Sequence, residues 1–252
     1  VVCPSLPGFG FSGPTTARGW KPSRIAAAMA ELMTRLGYDR FGAHGGDWGA
    51  TTSNYLAQIA ADRMIGLHLS MVAAGPPAGA ALTPADELRL QEISDFFTQE
   101  AGYQQIQGTR PQTLGYALND SPAGLAGWIV EKFRAWSDCD GDVETAITRD
   151  EMLTDITVYW VTQTANSSAR IYYEAMHGGE YAPLPMRIEV PTGCAIFPKE
   201  TVRAPRSWAE SAWNVQHWTE MPKGGHFPAL EQPQLLADDI RAFFRVIRKG
   251  SQ

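Results

Sequence analysis

Apolar and polar residues alternate in two different patterns along the chain. Near its start, short apolar runs with the length and composition of buried strands alternate with segments whose apolar positions recur at helical spacing. Because strands that are separated by helices pair in parallel, this order predicts a parallel sheet with helices packed on it. The predicted elements are a strand end at residues 1–4, a helix at 22–36, a strand at 40–44, a helix at 48–61 and a strand at 65–72.

The pattern changes in the middle of the chain. Residues 84–176 show helical patterns only, and Ser121–Pro122 is a residue pair that often opens a helix. Strand-like runs return at residues 192–197 and 215–221, and a final helix is predicted at 234–248.

This order predicts an α/β protein whose mostly parallel sheet is interrupted by a helical insertion. The predicted domains are a first part of the sheet domain at residues 1–75, a helical lid at 76–182 and a second part of the sheet domain at 183–252. A helical lid over a sheet is expected to leave a cleft suited to a small molecule.

Composition restricts the class of partner. The 252 residues are 44% hydrophobic and 19% charged, with a net charge of −6, which is typical of a soluble globular domain. This mild acidity argues against nucleic acid or an anionic membrane as the partner, and no apolar run has the roughly 18 residues of a membrane span. Cys3, Cys139 and Cys194 lie far apart, which predicts reduced, buried thiols and a cytoplasmic location.

A glycine motif near the start of the chain resembles a dinucleotide fingerprint. Gly8, Gly10 and Gly13 match GxGxxG, but the fingerprint also needs a helix to begin at the glycines, so that its N-terminus meets the pyrophosphate. Here the predicted helix begins only near Pro22. The motif therefore predicts a tight turn and no dinucleotide site.

The stretch "HGGDWG" contains the strongest chemical signal. A strand, Gly46, Asp47, Trp48, Gly49 and a helix follow one another with the spacing of a nucleophile elbow, in which a strained turn presents its central residue at the carboxyl edge of a sheet. A carboxylate in that place can displace a leaving group from carbon and form an ester on the enzyme. The alternative for Asp47 is a simple helix N-cap.

Two loops support the catalytic interpretation. Glu200 follows the strand at 192–197, and His226 lies on a Gly-Gly loop between the last strand and the last helix. Nucleophile, acid and histidine thus occur in the chain order of α/β-hydrolases. Taken singly, a loop Glu is usually a solvated charge and a loop His usually has no function, and His177 and His217 show no matching acid.

Longer segments resemble a known family. "HGGDWG", "GYQQIQGTRPQTLGYALNDSPAGL", "YWVTQTANSSARIYYE", "PTGCAIFPKE" and "GGHFPALEQP" are similar to segments of the microsomal-type epoxide hydrolases, over essentially the whole chain. The resemblance implies the α/β-hydrolase fold and the conversion of an epoxide and water to a vicinal diol, without cofactor or metal.

The resemblance also implies roles for individual residues. Asp47 matches the nucleophile, Glu200 the acid and His226 the general base, while Tyr103 and Tyr172 match two lid tyrosines that bind the epoxide oxygen. The backbone amide of Trp48 is the implied oxyanion donor, and Trp48 is also expected to contact the substrate. For Tyr103 and Tyr172, the alternative is ordinary packing within the lid.

Part of the family pattern has no match in this sequence. A His-Gly-Trp-Pro type turn, which supplies a second oxyanion donor, and the first strands of the sheet are expected upstream. The fold is therefore expected to require an N-terminal part, which could also carry a targeting segment or a membrane anchor. The assembly state, with a homodimer as one option, stays open.

Two other functions remain open. A haloalkane dehalogenase also uses an aspartate elbow, and a non-catalytic small-molecule binding protein could use the same scaffold. A lipophilic epoxide is favoured over a charged one by the aromatic residues predicted in the lid, which are Phe96, Phe97, Trp128, Phe133, Trp136 and Trp160.

Overall fold

The computed structural model describes residues 1–182 and 186–250, which form four strands and eleven α-helices. The strands are β1 (Phe41–Gly45), β2 (Met64–Leu69), β3 (Ile188–Ile196) and β4 (Trp213–Glu220). The helices are α1 (Pro22–Arg35), α2 (Asp47–Ile59), α3 (Pro84–Glu100), α4 (Gly102–Thr109), α5 (Pro111–Asp120), α6 (Pro122–Trp136), α7 (Arg149–Thr162), α8 (Ala165–His177), α9 (Arg206–Ala212), α10 (Pro228–Glu231) and α11 (Pro233–Gly250).

The four strands form one parallel sheet in the order β1-β2-β3-β4. This confirms the predicted α/β class, because every described pair of neighbouring strands is parallel. Parallel strands bring their carboxyl ends to one edge of the sheet, so the loops that follow β1, β3 and β4 leave from the same edge.

The chain divides into two compact units. One contains Val1–Ile25 and Glu100–Ala182, and the other contains Ala26–Gln99 and the described residues of Pro183–Gln252. The predicted boundary at residues 75/76 differs from this division, because α3 packs Leu90 and Ile93 against the sheet core. The same core contains Leu56 of α2 and Leu67 of β2.

The helical unit also holds the first residues of the chain. Its core includes Leu118, Leu125 and Ile156. The early segment groups with it because its backbone is hydrogen-bonded to α8 and the turn before it. Gly10 N donates to Thr164 Oγ1 (3.1 Å), Gly19 N donates to Glu174 Oε1 (2.8 Å), and Arg170 Nη1 donates to the Thr15 carbonyl (3.0 Å).

Two expectations for the start of the chain are wrong. Residues 1–4 do not form a strand. Among the described residues the sheet consists of β1 to β4 alone, and residues 1–4 do not join it. Cys3 is exposed, whereas Cys139 and Cys194 are buried as predicted. The glycine motif forms a short 3₁₀ turn at Gly10–Ser12. No helix in the described part of the chain is long and apolar enough to cross a bilayer.

A chain of hydrogen bonds between side chains ties α11 to the sheet, and its central link, between His68 and Asp239, is buried. His44 Nδ1 lies 3.0 Å from His68 Nδ1, and His68 Nε2 lies 2.9 Å from Asp239 Oδ2 on α11. The other Asp239 oxygen accepts from Thr219 Oγ1 (2.6 Å) and contacts His217 Nε2 (2.7 Å). His217 therefore does have an acid partner, which sequence spacing did not show because Asp239 lies on a different element.

This network makes folding sensitive to acid. Burial lowers the pKa of His68, and the hydrogen bond and charge of Asp239 offset this only in part. The unfolded chain then binds more protons than the native one below about pH 6.5, so stability is present above that pH and is lost as the pH falls. We expect the loss of unfolding free energy between about pH 7 and pH 5 to be smaller in His68→Asn, by up to about 1.4 kcal/mol per pH unit. Urea titrations at both values measure it, with exposed His177→Gln as the control; an unchanged slope in His68→Asn contradicts the expectation.

Candidate active site

Asp47 occupies a strained turn between β1 and α2. It has a φ of +46°, a left-handed conformation that residues other than glycine rarely adopt. Gly46 is the N-cap of α2, so the simple N-cap interpretation of Asp47 is wrong. Asp47 Oδ1 instead accepts the Trp48 N–H at 2.5 Å. The side chain is 43% exposed and is therefore accessible to a substrate.

The turn depends on a close approach between strand and helix. A Cβ at Gly45 would lie 2.2 Å from the Gly49 carbonyl oxygen and 2.6 Å from Ala50 N. A Cβ at Gly49 itself would meet no heavy atom within 4 Å. The closest approach of backbone to backbone in this elbow is therefore at Gly45, whereas Gly49 has space for a side chain.

The two glycines give a matched pair of variants. We expect Gly45→Ala to lower the free energy of unfolding by about 3 kcal/mol, because the backbone of α2 must move away from β1. Gly49→Ala is expected to change it by less than about 1 kcal/mol, since the added methyl group has space and Ala favours a helix. Urea denaturation measures both, and equal effects of the two substitutions would contradict the packing argument.

Three loops at the carboxyl edge of the sheet bring the predicted acid, base and nucleophile together. His226 Nε2 lies 3.1 Å from Asp47 Oδ2, and His226 Nδ1 lies 2.7 Å from Glu200 Oε1. Glu200 Oε1 also accepts from the Thr201 N–H (2.6 Å) and hydroxyl (2.9 Å). Glu200 and His226 are both buried. The arrangement is a hydrogen-bonded triad within one compact unit.

Glu231, which no sequence pattern indicated, fixes the histidine loop. Both oxygens of the buried Glu231 carboxylate accept backbone N–H groups, from Gly225 (2.9 Å) and from Phe227 (2.9 Å), on either side of His226. The acid loop is tied to the same segment, because Lys199 N donates to the Gly224 carbonyl (3.1 Å). The only sequence signal was an acid shortly after the histidine, which is too common to interpret.

The triad stabilises an ion pair in its resting state. Burial alone would lower the pKa of His226, but the charge of Glu200 and the hydrogen bonds to Asp47 and Glu200 outweigh it and raise this pKa to about 10. Partial burial would raise the pKa of Asp47, and the hydrogen bond and charge of His226, together with the hydrogen bond from Trp48, lower it instead. At neutral pH, Asp47 is therefore an anion and His226 an imidazolium.

Tyr103 and Tyr172 lie together in the helical unit. Tyr103 is on α4 and Tyr172 on α8, and their rings meet edge to face with centroids 5.7 Å apart. The Tyr103 ring also contacts that of Trp136 (5.2 Å), and Gln104 Nε2 donates to Tyr103 Oη at 2.9 Å. The structure thus pairs the two predicted tyrosines and adds the side chain of Gln104, which no sequence pattern indicated.

Comparison with known proteins supports the α/β-hydrolase fold for this chain. Residues 1–121 match the family described as alpha/beta hydrolase fold. A Stigmatella aurantiaca protein with the provisional name of an epoxide hydrolase is 46% identical over 98% of this chain and 56% of its own length. Epoxide hydrolase 1 of Sus scrofa is 38% identical over 99% of this chain and 60% of its own length.

A solved structure agrees with the sequence relatives. The crystal structure of juvenile hormone epoxide hydrolase from the silkworm Bombyx mori matches with a TM-score of 0.88 and 30% identity, over 98% of this chain and 64% of that chain. The chain therefore spans less than two thirds of the length of these relatives.

Proposed function

We propose that the protein is an epoxide hydrolase, which converts a lipophilic epoxide and water to a vicinal diol through an ester on Asp47. The proposal draws on the match of residues 1–121 to the α/β-hydrolase fold family and on the similarity of the chain to proteins named epoxide hydrolases. The observation that carries the proposal is the triad, in which an aspartate on a strained elbow is hydrogen-bonded to a buried histidine–glutamate pair.

In the first step Asp47 attacks an epoxide carbon. Oδ1 accepts the Trp48 N–H, so Oδ2 is the oxygen that forms the new C–O bond, and Oδ1 becomes the carbonyl oxygen of the ester. The epoxide C–O bond breaks, and its electron pair goes to the epoxide oxygen. An alkoxide is a poor leaving group, and we propose that Tyr103 and Tyr172 donate hydrogen bonds to it and that one of them supplies a proton.

Ester formation then converts His226 into a base. In the resting state the charge of Asp47 and its hydrogen bond help to keep His226 protonated. The ester carries no charge, so the pKa of His226 falls and the imidazolium releases its proton. Neutral His226, oriented by Glu200, can now remove a proton from water.

In the second step this water attacks Cγ of Asp47. The developing oxyanion on Oδ1 is stabilised by the Trp48 N–H, which already lies 2.5 Å away in the resting protein. Collapse of the tetrahedral intermediate breaks the Cγ–Oδ2 bond, the departing alkoxide takes a proton from the His226 imidazolium, and the diol leaves with Oδ2. The oxygen from water stays in the Asp47 carboxylate, and no cofactor or metal is needed for any step.

Substrate screening tests the proposal against the two alternatives. We expect the protein to convert styrene oxide to its diol and to release no halide from 1-chlorobutane. A haloalkane dehalogenase needs no acid for its leaving group, so halide release without diol formation would overturn the proposal in favour of that activity. Saturable binding of styrene oxide without any product would instead indicate a binding protein.

A further inference from the structure

A hydrogen-bonded chain of three side chains ends at the Tyr103 hydroxyl. Tyr181 Oη donates to Gln104 Oε1, and Gln104 Nε2 donates to Tyr103 Oη at 2.9 Å. All three residues belong to the helical unit, and Gln104 is only 6% exposed. A buried amide with both ends bound has a fixed direction, because its oxygen only accepts and its nitrogen only donates.

The direction of the Gln104 amide decides what Tyr103 can do. The hydrogen bond that Gln104 donates uses a lone pair of the Tyr103 oxygen. The Tyr103 O–H proton takes no part in this hydrogen bond. A donor to a phenol oxygen binds the phenolate more strongly than the phenol, and burial strengthens the difference because the local dielectric is low. Gln104 therefore favours the state that Tyr103 reaches after giving its proton away.

The surroundings of the Tyr103 ring fix its orientation. Lys132 Nζ lies 5.1 Å from the ring centroid, and the charge of this ammonium is offset by two paired carboxylates, Glu100 (3.1 Å) and Glu131 (2.9 Å). The Tyr172 ring on one side and the Trp136 ring on another restrict the orientation of the phenol. The Tyr103 hydroxyl is thus held in place by packing and by its hydrogen bond.

We propose that Gln104, itself held by Tyr181, is a positioning residue that makes Tyr103 the proton donor to the epoxide oxygen. The inference rests on the proposed function. In the step concerned, Asp47 Oδ2 bonds to carbon, the epoxide C–O bond breaks, and the alkoxide takes the proton from Tyr103 Oη. The Tyr103 phenolate keeps the hydrogen bond from Gln104 until a proton from solvent restores the phenol.

Single-turnover kinetics of Gln104→Met measure the effect. Rapid quenching followed by intact mass spectrometry separates formation of the Asp47 ester from its hydrolysis. Losing one hydrogen bond to a developing anion is expected to slow ester formation by about tenfold, with the rate of ester hydrolysis unchanged. Gln107→Met is the matched control, because Gln107 is equally buried on the same helix.

Two further measurements separate chemistry from packing. Ester formation requires a protonated tyrosine, so the pH above which its rate falls should move upward in Gln104→Met, and a loss of packing alone would not move it. Tyr181→Phe keeps the ring but removes the donor that orients the amide, and it should slow ester formation by a smaller factor. If Gln104→Met does not fold, the rate of ester formation in Tyr181→Phe tests the proposal.

The outcomes distinguish this inference from the proposed function. If the unmodified protein forms neither ester nor diol, the proposed function fails, and this inference fails with it. If the unmodified protein turns over but Gln104→Met and Tyr181→Phe form the ester at its rate, only the inference is overturned. It is also overturned if Gln107→Met slows ester formation equally. A faster ester formation in Gln104→Met would overturn it too, because that result is expected if the amide oxygen accepts a hydrogen bond from the Tyr103 O–H.

Discussion

Replacing Asp47 with Asn is expected to lower diol formation by about 10⁴-fold or more, because the amide cannot form the ester. Asn is the best-suited replacement, since it tolerates a left-handed conformation such as the φ of +46° found at this position. It also keeps an oxygen that can accept the Trp48 N–H. Diol formation from styrene oxide by purified Asp47→Asn measures the effect.

A measurement of folding separates loss of the nucleophile from loss of the elbow. Circular dichroism and the midpoint of urea unfolding should stay close to those of the unmodified protein. If folded Asp47→Asn keeps diol formation within about tenfold of the unmodified rate, Asp47 acts only by orienting water, and the covalent account is wrong.

Replacing His226 with Gln is expected to stop turnover after the ester has formed. The first step needs the Asp47 carboxylate and a proton donor, whereas the second needs a base for water. Steady-state diol formation should therefore fall by about 10⁴-fold, while intact mass rises by one substrate per protein. Peptide mapping should place the added mass on the peptide that contains Asp47.

His177→Gln is the matched control for this substitution. His177 is exposed and lies at the end of α8, in the helical unit, so its loss should leave turnover unchanged and trap no ester. If His226→Gln is folded and inactive but never gains mass, His226 is needed before ester formation, and its assignment as the base for hydrolysis fails.

The sequence was sufficient to predict the elements whose signals are local. The strand, glycines, acid and helix around Asp47 lie within one short segment, and their spacing alone predicted the elbow that the structure contains. Glu200 and His226 were predicted because each follows a strand of a parallel sheet, and such loops meet at one edge. In the structure His226 is within hydrogen-bonding distance of both Asp47 and Glu200, as predicted.

Local sequence patterns could not predict contacts between side chains that are far apart in the sequence. Nothing near Gln104 indicates that Tyr181 orients its amide, and nothing near His68 indicates Asp239 on the last helix. The strand predicted at residues 1–4 failed for a related reason. An apolar run predicts the capacity to form a strand, whereas a strand exists only where another strand satisfies its backbone groups.

The most direct test of the account follows the oxygen of water through one catalytic cycle. Excess protein converts a limiting amount of styrene oxide in ¹⁸O-labelled water, and mass spectrometry examines the diol and the peptide containing Asp47. The account predicts ¹⁸O in the Asp47 carboxylate and an unlabelled diol, because the oxygen added to the substrate comes from Oδ2. A diol that carries ¹⁸O after this single cycle, with none in Asp47, would show that water attacks the epoxide directly and would contradict the account.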